Sequence, residues 1–149
     1  MHGAPVTDVR LESAAPGLNT YIRSLPEDQR RRIAWEVAKW SLSKVPVSDP
    51  RIDDLVLSPL PIVDESRRPA VEALCLELDE AAWDIQDLVD EGRAEYAAYV
   101  AAFERARAVN ALCEAMNPDA SRAASEGIYE ALAATDDPDG ISALVRSVG

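Results

Sequence analysis

From residue 24 onward, apolar side chains recur at intervals of three and four, the spacing of helices with one buried face. The most sustained run is Pro69 to Gly92, where Val71, Leu74, Cys75, Leu78, Ala82, Ile85 and Val89 fall on one face, with Leu88 at its margin. Ser66 and Pro69 mark its start, and Gly92 stands where a helix stops. A second helix over 93–116 follows at once, with Tyr96, Tyr99, Val100 and Phe103 facing inward and the stripe drifting on to Ala106, Asn110 and Cys113. The short link predicts an antiparallel hairpin.

The flanking segments follow the same rule. Ser24 and Glu27 have capping-box spacing, and the helix they open runs to about Lys44, ended by Pro46. Its inner face is Ile33, Ala34, Val37, Trp40 and Ser41; Trp35 and Leu42, seven apart, lie on nearly the opposite side. Asp49-Pro50 starts a short helix to about Leu57 with Ile52, Leu55 and Val56 inward. Residues 58–68 read as an extended crossing packed by Leu60, Ile62 and Val63. Asn117-Pro118-Asp119 opens a helix to about Ala134 held by Ala124, Ile128, Ala131 and Leu132. Asp137-Pro138 opens the last, with Ile141, Leu144, Val145 and Val148. Residues 1–20 show no period and read as a flexible arm ahead of a single helical domain over 21–149. The fold expected is all-α: an irregular antiparallel bundle of five to six helices with the long hairpin 69–116 at its centre.

Composition narrows the function. The formal net charge is −12, which opposes binding to nucleic acid or an anionic membrane and is compatible with a basic protein partner. No apolar run approaches a membrane span, and the first residues lack the apolar core of a signal peptide, so a cytoplasmic location is expected. Cys75 and Cys113, the only cysteines, read as buried, reduced thiols, with a disulfide between their helices as the alternative. The one histidine is His2, which leaves no Ser-His-Asp or Cys-His arrangement and no histidine-bearing metal site in the body of the chain. Six glycines form no phosphate-cradling loop. No cofactor is implied.

Three features remain as candidates. The first is a carboxylate stripe, Glu77, Glu80, Asp84, Asp87 and Glu91, on the outer face of the 69–92 helix. Hard cations favour such ligands, so Glu77, Glu80 and Asp84 are the candidate metal set of a metal-dependent nucleotide phosphohydrolase. That enzyme needs a second acidic pair on the partner helix, which offers only the widely separated Glu104 and Glu114. The second is an apolar seam away from the core face: Leu76 with Trp83, matched by Trp35 with Leu42. Either the helices are covered on two sides within the monomer, or the seam meets a partner. The third is Arg107 with Asn110 on the inner line of the fourth helix, a polar pair that either lines a small pocket or bonds within a crowded bundle. The arginine clusters 30–32 and 67–68 are expected to pair with nearby carboxylates.

The leading expectation is a non-enzymatic protein-binding module of the regulatory, immunity or antitoxin kind. Its candidate contact residues are Trp83, Leu76, Trp35, Leu42, Glu80, Asp84 and Asp87. A homo-oligomeric structural protein, starting from a homodimer, and the metal-dependent phosphohydrolase are the alternatives.

Overall fold

The computed structural model describes residues 12, 13 and 15–148. Among them are seven helices and no strand: α1 (Leu18–Arg23), α2 (Glu27–Lys44), α3 (Asp53–Leu57), α4 (Arg68–Asp90), α5 (Tyr96–Ala115), α6 (Ala120–Thr135) and α7 (Pro138–Val148). They pack as an irregular all-α bundle. The additional helix is α1, which includes the end of the stretch read as an arm: Leu18 and Ile22 are buried in the common core. Most of that arm, residues 1–11, lies outside the described residues.

The centre of the bundle is the α2–α5–α6 triangle, closed at one end by α7. Its interfaces are built largely from alanine, with Ala34 and Ala38 on α2, Ala106, Ala108 and Ala111 on α5, and Ala124 and Ala131 on α6 all fully enclosed. Small side chains bring the helix axes close. A Cβ placed on Gly127 of α6 would lie 3.6 Å from the Ala111 carbonyl of α5. The larger groups that fill the remaining space are Trp35, Ile33, Leu112, Met116 and Ile128.

The hairpin forms as expected, but it is not central as a unit. Its second arm, α5, is in the core from Ala102 onward, whereas its first turn is not, and Tyr96, expected to face inward, is 65% exposed. The first arm, α4, lies outside and packs principally on α5. The Arg68–Glu114 and Asp79–Arg107 ion pairs join the start of α4 to the end of α5 and the middle of one to the middle of the other, so the two run antiparallel. This placement accounts for α4's composition: a helix that packs mainly on one neighbour needs one apolar face, and most of the rest remains in water.

Local end signals divide into those that act as expected and those captured by a neighbour. Gly92, at φ +72°, sits in a Schellman turn, with its N–H donating to Val89 O and that of Arg93 to Leu88 O. The Asp119 carboxylate accepts from the N–H groups of Ser121 and Arg122 and caps α6, and Asp137 accepts from Gly140 N–H at the start of α7. The Ser24–Glu27 capping box does not form. Ser24 Oγ donates instead to Tyr21 O at the end of α1, and Pro26 takes the N-cap position of α2. Ser66 likewise does not cap α4, because its N–H and hydroxyl both donate to Asp64 Oδ1. Asp49 lies four residues ahead of α3, where it accepts from Arg51. Of the three apolar residues expected to pin the 58–68 crossing, only Ile62 packs on the core; Leu60 is 67% exposed and Val63 also faces water.

Candidate functional site

The seam predicted on two helices splits. Trp35 is 0% exposed and Leu42 is also buried. The connection between α2 and α4 covers this side of α2, and the Trp35 indole N–H donates to Ser58 O at 3.1 Å, an acceptor shared with Lys39 Nζ at 3.0 Å. Trp35 and Leu42 are therefore core residues and are not available as partner contacts. α2 is covered on both sides within the monomer.

On α4 the corresponding pair is open. Leu76 and Trp83 are each 63% exposed. Seven residues at a rise of ~1.5 Å place them about 10 Å apart along one line of the helix. The carboxylates beside this line are Glu80, Asp84 and Asp87, all facing solvent. None of them enters an ion pair among the described residues. The result is two large apolar side chains in an acidic frame, carried by a long helix supported from behind.

The metal set does not assemble. Glu77 is held by Arg51 through two parallel bonds, Nη1 to Oε2 at 2.6 Å and Nη2 to Oε1 at 2.9 Å. That pair keeps the Glu77 carboxyl below the usual glutamate range and the Arg51 guanidinium above its own. Arg51 also holds the Asp49 carboxyl down to about 2. Among the described residues no group of three or more His, Cys, Asp or Glu side chains is placed to hold a metal ion. The physical reason is the position of α4: among the described residues no second element faces its outer side to complete a shell around Glu80 and Asp84.

Arg107 and Asn110 bond within the bundle, the second of the two expectations. Asn110 Nδ2 donates to Ala106 O, one turn back on its own helix, at 2.7 Å. Arg107 bridges three helices, donating through Nη2 to Asp79 Oδ1 of α4 and through Nη1 to Glu130 Oε2 of α6 at 2.8 Å. Its guanidinium also lies 5.6 Å from the centroid of Phe103, which leads through Tyr99 to Tyr96 along the same stripe of α5. Arg107 was legible as an inner-line residue; Asp79 and Glu130 were not, because their helices reach it only through the tertiary fold.

Burial pushes the Glu130 carboxyl up to about 7, with Glu114 and Glu126 adding to the rise and Arg107 opposing it. Burial raises Glu114 as well. An acid whose folded pKa exceeds its unfolded value near 4.5 retains its proton only in the folded chain between those limits, so stability falls as pH rises through that window. The Glu130 contribution corresponds to about 3 kcal/mol. Below about pH 4 the opposite sign takes over, as the depressed carboxyls of Asp49, Asp54, Asp64 and Glu77 protonate and their pairings are lost. Urea unfolding followed across this range is expected to show a maximum near pH 5, and Glu130→Gln is expected to flatten the limb between pH 5 and 7. A wild-type profile that rises from pH 5 to 7 would contradict the assignment.

Cys75 and Cys113 are both free thiols and buried. They meet across the α4–α5 interface, with the Arg68 guanidinium beside Cys113 and Asp79 and Arg107 near Cys75. Among the described residues no helix is long and apolar enough to cross a membrane. No protein-family model, curated protein or solved structure matches this chain.

Proposed function

We propose that this chain is a non-enzymatic binding module that presents the outer side of α4 to a basic partner protein. The observation that carries the reading is the Leu76–Trp83 pair, two large apolar side chains in line and largely exposed, framed by carboxylates with no ion pair among the described residues. Removing a leucine or tryptophan from water is worth roughly 1.5–3 kcal/mol each, and a central aromatic anchor with a charged rim is the usual composition of an energetic hot spot. Glu80, Asp84 and Asp87 supply that rim, steering a basic surface toward the anchor. Self-association through the same face would set these carboxylates against their copies, so a partner of opposite charge fits better than a second copy.

The test separates binding from folding. Trp83→Ala removes an exposed side chain and is expected to change stability by less than about 0.5 kcal/mol. The same substitution, alone or with Leu76→Ala, is expected to abolish retention of a partner that the wild-type chain captures from its native host. Reversing Glu80, Asp84 and Asp87 to lysine is expected to slow that capture and weaken its salt dependence. If the wild-type chain and the Trp83→Ala variant retain the same proteins, or retain none, α4 is not the docking face.

A further inference from the structure

We propose that Cys75 and Cys113 are a redox site, a dithiol that a peroxide converts into a reversible disulfide fastening α4 to α5. The chain has only these two cysteines, and the fold brings them together from positions separated by most of the hairpin. They sit on the facing sides of two antiparallel helices, both as free thiols. Neither is fully sealed, at 6% exposure for Cys75 and 5% for Cys113. Both belong to the apolar core, but at an edge where charged groups approach them, Asp79 and Arg107 near Cys75 and Arg68 and Glu72 near Cys113.

The surroundings also make the two sulfurs unequal. The Cys75 thiol and the Arg68 guanidinium lie beside the Cys113 sulfur and hold the Cys113 pKa below its ordinary value, while the neighbouring Cys113 and burial raise Cys75. Cys113 is thus the attacking thiolate and Cys75 the resolving thiol, with Arg68 as the positioning residue. In the first step the Cys113 thiolate attacks one oxygen of hydrogen peroxide. An S–O bond forms, the O–O bond breaks, and the departing hydroxide takes up the proton that Cys113 released, leaving a sulfenic acid and water. In the second step the Cys75 sulfur attacks the sulfenic sulfur. The S–S bond forms, the S–O bond breaks, and the hydroxyl leaves as water with the Cys75 proton. Two thiols are oxidised by two electrons and one peroxide is reduced to two waters.

The experiment exposes the folded full-length chain to hydrogen peroxide, then unfolds it and alkylates the remaining thiols. The expected product is a monomer lighter by two hydrogens with neither cysteine alkylated, returned to the starting mass by dithiothreitol. Cys75→Ser is expected to stop at the sulfenic acid, trapped by dimedone on Cys113. Arg68→Gln is expected to slow oxidation severalfold near neutral pH and to move the midpoint of the rate profile upward, because the cation beside the Cys113 sulfur is lost. Arg68→Lys is expected to restore most of the rate. The wild-type measurement decides the matter even if a variant folds poorly. Two fully alkylated thiols after peroxide treatment, oxidation confined to intermolecular dimers, or over-oxidised sulfurs without a disulfide would each overturn the proposal.

Discussion

Trp35→Ala is expected to lower the unfolding free energy by about 3–5 kcal/mol, the range for deleting a fully enclosed tryptophan. Trp35 is the largest fully buried side chain, and the connection between α2 and α4 closes over it. The hydrogen bond to Ser58 O adds little to the cost, because Lys39 Nζ continues to donate to that carbonyl at 3.0 Å. The measurement is urea unfolding followed by circular dichroism, with a lower midpoint and an unchanged slope. Trp83→Ala is the internal control, being the same substitution on an exposed residue. Equal losses at the two positions would mean that α4's outer side is covered within the monomer, and the docking proposal would fall with that result.

Arg107→Met is expected to cost about 3 kcal/mol, the lower end for breaking a buried charge pair while its partners remain. The three side chains that meet there are 13–25% exposed, so residual hydration moderates the penalty. Methionine preserves much of the bulk against Phe103 while leaving Asp79 and Glu130 facing each other's helices without a cation. Combining it with Glu130→Gln is expected to cost less than the sum of the two single changes by about 1–2 kcal/mol, the signature of residues in one network. Lysine is not expected to rescue, since a single ammonium does not reproduce the guanidinium fork that reaches two carboxylates on different helices. An Arg107→Met variant within about 0.5 kcal/mol of wild type would show that the cluster is a solvated surface arrangement instead.

The contrast between Trp35 and Trp83 also shows how far the sequence can be read. Each stands off the principal apolar face of its helix and has a leucine seven residues away. Periodicity identifies both deviations equally well, because it depends on geometry within one helix. Their different fates depend on the α2–α4 connection, which crosses over Trp35 and leaves Trp83 open. The same distinction runs through the capping residues. Asp119 and Asp137 have no competing partner and act as their positions suggest, whereas Ser24 and Ser66 find nearer acceptors at Tyr21 and Asp64. The helices from α2 onward, the apolar face of α4 and the all-α class were legible, whereas α1 was not. The peripheral position of α4, the Arg107 hub and the meeting of the two thiols were not, since each joins residues from separate elements.

Arg31 places one further demand on the chain. Its guanidinium donates to the carbonyls of Asn117 and Pro118, 86 and 87 residues ahead, so the start of α2 is fastened to the turn between α5 and α6. Val37 and the inner face of α2 find their principal helical partners, α5, α6 and α7, in that later part of the chain. At a synthesis rate of ~5–20 residues per second, α2 is made several seconds before those partners exist. During translation, therefore, the inner face of the helix that anchors the finished core is exposed before its partners are made. The locally paired α4–α5 hairpin can form as soon as its second arm emerges, while α2 must remain soluble until the far half of the protein arrives.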